Sequence, residues 1–344
     1  MKTTCIPVED AVGMPLAHDV TRIVPGEFKG ILFRRGHEIR KEDIEPLRKC
    51  GKDTIYILEL ESDEVHEEDA AAVLAKMTAG AGLEAGPVGE GKITLRAACF
   101  GVIDMDEEII MAVNEVPYVV VSTKPNHSVV QPGDPVAAVK VIPLAVKQSV
   151  LDAAKKVCGD IPPIRIREIQ KKKIGLVITG NEVYYGRIED KFEPVIRQKA
   201  KEYHFEVLDV EKCPDDQQAI EEGIRKMEEA GADIIICTGG MSVDPDDKTS
   251  GAIQKTGASV VSYGAPVLPG AMFLLAYVRT PKGRVPVLGL PGCVMYAGAT
   301  IFDLALPRIA AGVELTRRDF AVMGEGGLCL GCKPCHWPNC PFGK

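Results

Sequence analysis

The stretch Ile174-Gly175-Leu176-Val177-Ile178-Thr179-Gly180 decides the fold of the second half of this 344-residue chain. A nearly continuous apolar run that ends in a glycine turn is typical of a buried parallel strand. Apolar residues at helical spacing follow over 190–203, and a second strand is expected over Glu206–Val210. A helix over 216–229 and a strand over Asp233–Cys237 then complete a β-α-β-α-β order.

The same alternation continues toward the carboxyl terminus. A strand is expected over Val285–Leu290, and helical periodicity predicts a long helix over 295–309 that bends at Pro307. We therefore predict an α/β domain over residues 166–320 with a doubly wound, mainly parallel sheet. Ligands of such sheets bind beyond the carboxyl ends of the strands, so the site is expected in the loops after Ile178, Val210, Cys237 and Leu290.

The region upstream of this sheet has a different character. Residues 79–91 are rich in glycine and predict a flexible linker between an N-terminal region, residues 1–78, and a β-rich region, residues 92–165. In the N-terminal region we expect a short helix over Lys41–Cys50 and a strand over Thr54–Leu58. In the β-rich region the runs that favour strands are Ile93–Val102, Ile109–Val113 and Tyr118–Ser122.

The bulk composition excludes several classes of protein. The net charge of -8 disfavours nucleic-acid binding, and 46% hydrophobic with 26% charged residues is typical of a globular chain. The N-terminus has no signal-peptide pattern and the chain has no transmembrane run, so no membrane partner is expected. Eleven cysteines without a signal indicate reduced thiols or metal ligands in the cytoplasm.

Three of the expected loops are short and polar. Thr179-Gly180-Asn181-Glu182 leaves a strand toward a helix, where backbone amides receive an anion, although a purely structural turn has the same pattern. Pro214-Asp215-Asp216 supplies a helix cap or first-turn acid. In Leu290-Pro291-Gly292-Cys293 the thiol is expected at the mouth of a helix, a place that can lower a thiol pKa, although a lone cysteine is more often packed in the core.

The remaining loop, Thr238–Thr249, is the most specific. Its glycines bring backbone close to a ligand, Ser242 offers a hydroxyl, and Thr249 is expected as the N-cap of the next helix. The three carboxylates of this loop suit Mg²⁺ that bridges a ligand phosphate, with an acidic surface turn as the alternative. These carboxylates belong to Asp244, Asp246 and Asp247.

In order and spacing, the segments TGNE, PDD, TGGMSVDPDDKT, PVLPGAM and LPGCVMYA resemble the molybdopterin-binding domain shared by molybdopterin adenylyltransferases and molybdenum insertases. The resemblance covers about residues 170–312, and residues 1–60 look more faintly like the N-terminal part of the insertases. It implies activity-associated acids at Glu182, Asp215 and Asp247. It further implies a ligand-binding set of Thr179, Gly180, Asn181, Gly239, Gly240, Met241, Ser242, Pro291, Gly292 and Cys293.

Three positions depart from the family pattern. Asn181 stands where the family usually has Asp, and Gly270-Ala271-Met272 lacks the usual Lys-Pro. Cys293-Val294 replaces the usual Asn-Pro. Loss of a carboxylate and a cation from a phosphate-handling site is compatible with a protein that binds the ligand without full turnover.

The last residues, 325–344, form a cysteine-rich tail. Closely spaced thiols in a reduced compartment suit tetrahedral Zn²⁺ or an iron–sulfur cluster, with His336 as a further zinc ligand, and an unstructured tail is the alternative. The four thiols are those of Cys329, Cys332, Cys335 and Cys340.

Two functions follow from the resemblance. The first is an enzyme of molybdenum-cofactor biosynthesis that inserts molybdate into adenylylated molybdopterin, with Mg²⁺ positioned by the acids. The second is a non-catalytic carrier or sensor that serves a molybdoenzyme. The implied partners are molybdopterin, molybdate, a nucleotide and a receiving molybdoenzyme, and analogy with related proteins implies a homodimer. A general dinucleotide protein ranks last, because no G-x-G-x-x-G turn follows the first strand.

Overall fold

The computed structural model describes residues 2–241, 247–281 and 283–344. The chain forms two compact units, of which the first ends at Glu168 and the second begins at Ile169. Among the described residues, no helix is both long and apolar enough to cross a membrane.

The first unit is built from small antiparallel sheets and four helices. Its strands are β1 Lys2–Pro7, β2 Val20–Val24, β3 Phe28–Phe33, β4 Thr54–Glu59, β5 Glu64–His66, β6 Leu83–Ala85, β7 Lys92–Ala97, β8 Gly101–Met105, β9 Val119–Thr123, β10 Val129–Val130, β11 Pro135–Val141, β12 Ala145–Lys147 and β13 Ile164–Glu168. Its helices are α1 Ile44–Lys49, α2 Glu67–Thr78, α3 Glu107–Glu115 and α4 Gln148–Cys158, with 3₁₀ turns at Val8–Ala11 and Lys41–Asp43. The strand order of its largest sheet is β6-β7-β11-β9.

Two expectations for this unit are corrected. The run Ile109–Val113 lies in α3 and not in a strand, because the Asp106 carboxylate accepts a hydrogen bond from Ile109 N (3.0 Å) and caps a helix. Residues 79–91 do not form a flexible linker, because β6 pairs with β7 there and Gly80 N donates to Ile164 O at 2.7 Å. The glycines of this segment allow other backbone segments to approach closely. A flexible linker is also rich in glycine, so composition alone does not distinguish the two.

A charged cluster joins β8 to β13. Asp104 accepts hydrogen bonds from Arg165 Nε at 2.7 Å and from Arg167 Nε at 2.6 Å. Burial acts to raise the pKa of Asp104, but the two guanidinium groups outweigh it and lower that pKa below its ordinary value. The ionised carboxylate therefore stabilises this strand pair.

The second unit has the mainly parallel α/β sheet that the sequence predicts. Its strands are β14 Lys173–Thr179, β15 Glu206–Cys213, β16 Ile234–Thr238, β17 Ser259–Tyr263, β18 Leu274–Thr280 and β19 Gly283–Leu290. Its helices are α5 Asn181–Tyr184, α6 Phe192–Glu202, α7 Gln217–Glu229, α8 Thr249–Lys255, α9 Ile301–Ala310 and α10 Arg317–Val322, with a 3₁₀ turn at Gly292–Met295. The strand order is β15-β14-β16-β19-β18-β17.

The first four strands of that order are parallel, while β18 and β17 extend the sheet by antiparallel pairing. The reversal of strand order around β14 brings the ends of β14, β15, β16 and β19 to one edge, where open α/β sheets bind ligands. The central strand β14 is buried from Ile174 to Thr179, which explains its unbroken apolar sequence.

The long helix expected over 295–309 is shorter in the structure. It begins at Ile301, because Thr300 and Asp303 form a capping box that fixes its first turn. The preceding residues form the 3₁₀ turn instead. Pro307 lies inside α9 as expected, whereas Met295 ends the 3₁₀ turn and Ala299 lies in the short loop between that turn and α9.

Candidate functional site

Three threonines connect the loops at the carboxyl edge of the sheet. The Thr179 hydroxyl at the end of β14 donates to Thr238 O at the end of β16 (3.1 Å). It also lies 2.9 Å from the Thr249 hydroxyl at the start of α8. Since a hydroxyl has one proton, the Thr249 hydroxyl is the donor in the second contact. All three residues are buried, so this chain of hydrogen bonds fixes how the strand ends and α8 approach one another.

The glycine pair after β16 is packed too tightly for other residues. Gly239 and Gly240 have φ angles of +85° and +53°. A Cβ on Gly239 would overlap the Thr179 carbonyl oxygen, and one on Gly240 would lie 2.7 Å from Thr249 Oγ1. The pair thus turns the chain in a left-handed conformation directly against the threonine chain, so both positions require glycine, while their contact with a ligand stays a prediction.

The first and second loops are joined reciprocally. Asn181 N donates to Asp215 Oδ2 (2.9 Å), and Asp215 N donates to Asn181 Oδ1 (3.2 Å). The sequence predicts free amides for an anion in the first loop, but the Asp215 carboxylate already occupies the amide of Asn181. The helix that follows, α5, is also a single short turn. An anion site on this amide is therefore corrected to an internal amide–carboxylate pair.

The caps of the two following helices can now be assigned. Asp216 caps α7, since its carboxylate accepts a hydrogen bond from Ala219 N at 2.9 Å. Thr249, predicted as an N-cap, is instead the first residue of α8, and Lys248 occupies the cap position. The Thr249 hydroxyl forms a hydrogen bond with the Thr179 hydroxyl and therefore does not cap the helix.

The remaining predicted acids are only partly described. Glu182 is exposed in α5, and its carboxylate curls back beside Gly180. Asp247 is half-buried just before α8. Ser242, Asp244 and Asp246 lie outside the described residues, so the Mg²⁺ ligand set and the hydroxyl contact stay predictions.

Met241 is a packing residue. It is 3% exposed, and its side chain lies over Gly289 of β19, where a Cβ would be 2.6 Å from its sulfur. The Tyr263 hydroxyl donates to Met241 O at 3.0 Å. Met241 therefore holds the loop down on the sheet, and its contact with a ligand stays a prediction.

The fourth loop begins at Pro291 and continues into the 3₁₀ turn that contains Gly292 and Cys293. Burial raises the pKa of the Cys293 thiol, and nearby backbone hydrogen bonds offset this only in part. The raised pKa favours a protonated thiol that packs in the protein, which is the alternative that the sequence favours, over a reactive thiolate at a helix mouth.

A buried ion pair next to this loop was missed in the sequence. Lys199 Nζ of α6 lies 2.6 Å from Asp303 Oδ1 and 3.2 Å from Gly298 O, and both side chains are under 10% exposed. Burial raises the pKa of Asp303, and Lys199 opposes that shift. By periodicity Lys199 falls on the apolar face of α6, seven residues after Phe192 and three after Ile196, so a lysine at a core position was the signal in the sequence, while its partner opposite on α9 is seen only in the structure.

The tail folds against the second unit. Cys329, Cys332, Cys335 and Cys340 all line one cavity of about 410 Å³, together with residues 296–299. Within the described residues, no three His, Cys, Asp or Glu side chains stand close enough together to hold a metal ion. Metal binding at the tail and at the acidic loop thus stays a prediction.

Two parts of the chain match known families. Residues 175–311 match the family described as "Probable molybdopterin binding domain". Residues 5–59 match a family described as a domain of unknown function. The likeness of the N-terminal region to insertases therefore stays a prediction, while the likeness of the α/β unit is confirmed.

Curated relatives share a short segment. The CinA-like protein of Mycobacterium tuberculosis is 38% identical over 77 residues, which are 22% of this chain and 18% of the relative. The CinA-like protein of Mycobacterium leprae is 34% identical over 77 residues, with the same coverage. The matched segment thus spans about a fifth of the length of these relatives.

The matches to solved structures extend over most of the length of those structures. The tungsten cofactor synthesizing protein MoaB of Pyrococcus furiosus is 21% identical and covers 36% of this chain and 84% of itself, with a TM-score of 0.32. The molybdopterin biosynthesis enzyme MoaB from Thermus thermophilus is 18% identical and covers 41% and 98%, also with a TM-score of 0.32.

Proposed function

We propose, from the premise that residues 175–311 form a domain of the molybdopterin-binding family, that this chain binds molybdopterin or its adenylylated form in molybdenum-cofactor biosynthesis. The proposed binding surface is the carboxyl edge of the sheet, at the ends of β14, β15, β16 and β19. The observation that carries the proposal is the match of this family to the segment whose glycine pair is packed without room for a Cβ.

The glycine pair supports binding of a flat, phosphorylated ligand. Gly239 and Gly240 both have positive φ, and successive glycines in such turns are a common way to present backbone amides to an anion. Close approach of a phosphate to backbone is a general use of such glycines. The buried threonine chain beneath them keeps this turn rigid, so that little ordering is required on binding.

The enzymatic form of the proposal is molybdate insertion. Glu182, Asp215 and Asp247 would position the adenylylated ligand, and Mg²⁺ held by Asp247 with Asp244 and Asp246 would neutralise its phosphate charge. In this reaction water would cleave the phosphoanhydride that joins the nucleotide to the pterin phosphate, and molybdate would bind the two dithiolene sulfurs with loss of an oxide as water. The chain's own residues contribute mainly orientation, since Asp215 is itself fixed by Asn181.

A carrier or sensor is the second candidate, and Asn181 favours it. Asn181 supplies an amide where the family usually has a carboxylate, so the site has one negative charge fewer for Mg²⁺. The pair between Asn181 and Asp215 also holds that acid in hydrogen bonds within the protein. A protein of this kind would bind the ligand and pass it to a molybdoenzyme.

The test of binding is an anaerobic titration of the full chain with molybdopterin, followed through the fluorescence of the oxidised pterin. Asp247→Asn and Gly240→Ala are expected to weaken binding at least tenfold. Glu206→Gln is the matched control, because Glu206 is an exposed acid at the opposite, amino end of β15. Equal binding by Asp247→Asn, Gly240→Ala and the wild type, or no binding by the wild type, contradicts the proposal.

Turnover separates the two candidates. Incubation with adenylylated molybdopterin and molybdate should release nucleotide if the chain is an insertase, whereas a carrier retains the ligand intact.

Size-exclusion chromatography with light scattering checks the proposed homodimer independently. The cytoplasmic location and the receiving molybdoenzyme are further parts of this proposal.

A further inference from the structure

The cysteine-rich tail is attached to the second unit at both of its ends. At its start, Leu268 N donates to Gly327 O and Cys329 N donates to Leu268 O, each at 2.8 Å. At its end, Phe342 is 3% exposed and Gly343 packs against Leu304 of α9. Residues 329–341 therefore form a closed loop with fixed ends, which lowers the entropy lost when its side chains converge.

The loop carries its four thiols around one cavity, whose wall is the segment 296–299 that follows the fourth loop of the candidate site. Cys335 lies on this wall, since a Cβ on Gly298 would be 2.6 Å from its sulfur. Cys332 and Cys335 are exposed, while Cys329 and Cys340 are half-buried. Four thiols of a reduced chain thus face one space large enough for an ion or a small cluster.

The first Cys-x-x-Cys turn has the backbone of a thiolate site. Gly331 N donates to Cys329 Sγ at 3.5 Å, and Gly331 has a φ of +66°. A backbone amide directed at sulfur stabilises the thiolate, which is the form that binds metal. The glycine is required because an L side chain rarely adopts this backbone conformation.

We propose that Cys329, Cys332, Cys335 and Cys340 together bind one thiophilic metal centre, and that this centre clamps the tail onto residues 296–299. The chemistry is tetrathiolate ligation, by Zn²⁺ or by an iron–sulfur cluster. Binding draws the exposed thiols of Cys332 and Cys335 toward the half-buried pair and releases their protons. Two, two and four residues separate the successive cysteines, which are short spacings of the kind found between thiolate ligands of one metal centre.

The clamp has a consequence for the candidate site. The wall residue Gly298 is also held by Lys199 through its carbonyl, so the tail and the buried ion pair act on the same backbone segment. Pro269, which precedes the altered Gly270-Ala271-Met272 segment, lines the same cavity. The metal centre therefore stiffens Pro269 and residues 296–299. These lie close in sequence to Gly270-Ala271-Met272 and Cys293-Val294, two of the positions at which the chain departs from the family pattern.

The experiment measures metal binding by the full chain in the absence of any pterin. Chelator-treated, reduced protein is titrated anaerobically with Zn²⁺ against a chromophoric competitor, and a parallel sample is reconstituted with iron and sulfide and followed by its absorption spectrum. One metal centre per chain in either arm is expected, and the arm that succeeds identifies the centre. Failure of both arms overturns the proposal.

Variants test the ligand assignment. Cys332→Ser and Cys335→Ser should each weaken metal binding at least tenfold, whereas Cys5→Ser, an exposed thiol of the first unit, should leave it unchanged. His336→Ala should also leave it unchanged, and a loss of metal in this variant overturns the four-thiolate assignment. Equal metal binding by the wild type, Cys332→Ser and Cys335→Ser also overturns the four-thiolate assignment.

Hydrogen exchange tests the clamp separately from ligand binding. Amides of residues 296–299 should exchange at least tenfold more slowly in the metal-bound chain, while those of β7 in the first unit stay unchanged. Stoichiometric metal without this protection refutes the clamp. Since no pterin is present, a failure of the proposed function leaves these readouts unaffected.

Discussion

Replacement of Thr179 by valine tests the buried hydrogen-bond chain beneath the candidate site. Valine keeps the shape of threonine but removes the hydroxyl that donates to Thr238 O and accepts from Thr249. The Thr249 hydroxyl is then fully buried without an acceptor from Thr179. A lost buried hydrogen bond costs about 1 kcal/mol and an unsatisfied buried partner about 1–3 kcal/mol, so Thr179→Val should destabilise the second unit by roughly 2–4 kcal/mol.

Thr179→Ser is the matched control, because it keeps the hydroxyl and removes only a methyl group, at a cost of about 1 kcal/mol. For a unit of this size each kcal/mol lowers Tm by roughly 2–4 °C, so Thr179→Val should unfold roughly 4–16 °C below the wild type. Thermal unfolding is followed by circular dichroism and by the fluorescence of Trp337, the sole tryptophan, which lies in the second unit. A valine variant as stable as the serine variant refutes the reasoning.

Three further predictions concern other charged and polar groups. Asp104→Asn should destabilise the first unit at neutral pH, and this difference should vanish as the pH falls through the lowered folded-state pKa of Asp104, measured by urea unfolding at several pH values. Lys199→Met should cost roughly 3–5 kcal/mol because it leaves Asp303 buried and unpaired, and the added change Asp303→Leu should recover part of the loss in the same assay. Asn181→Asp should increase nucleotide release from adenylylated molybdopterin if Asn181 is what limits turnover, whereas an unchanged rate argues for a carrier.

The parallel sheet was predictable because burial on both faces makes its strands continuous apolar runs. The strands β14, β15, β16 and β19 and the helices α6 and α7 appear where the sequence predicts them. The sequence analysis did not predict the antiparallel strands β17 and β18, although Leu274–Val278 is a continuous apolar run of the kind that favours a buried strand. β17 pairs with β18, and β18 pairs with β19 as a hairpin in which Thr280 lies opposite Gly283, so both pairings join neighbouring segments of the chain.

The candidate site was predictable in its location and less so in its contacts. The glycine pair was recognised from the sequence, because only glycine allows the turn. The reciprocal pair of Asn181 and Asp215 joins residues that are far apart in the chain, so the sequence showed neither side chain's partner. The buried Lys199 likewise gains its role from a partner on α9 that helical periodicity cannot reveal.

Two of the departures from the family pattern lie close to the cavity of the cysteine-rich tail. These two, the Gly270-Ala271-Met272 segment and Cys293-Val294, lie next in sequence to Pro269 and to residues 296–299, which line the tail cavity. The resembled family usually has Lys-Pro and Asn-Pro at these positions, whereas here the small residues Gly298 and Gly270 allow close packing, against Cys335 and against Ile301. Loss of the family residues and gain of the tail therefore alter one region together. Restoring Lys-Pro and Asn-Pro at these two positions should therefore change nucleotide release less in the full chain than in a chain that lacks the tail, because the tail constrains the same segments; equal changes in the two chains would contradict this reasoning.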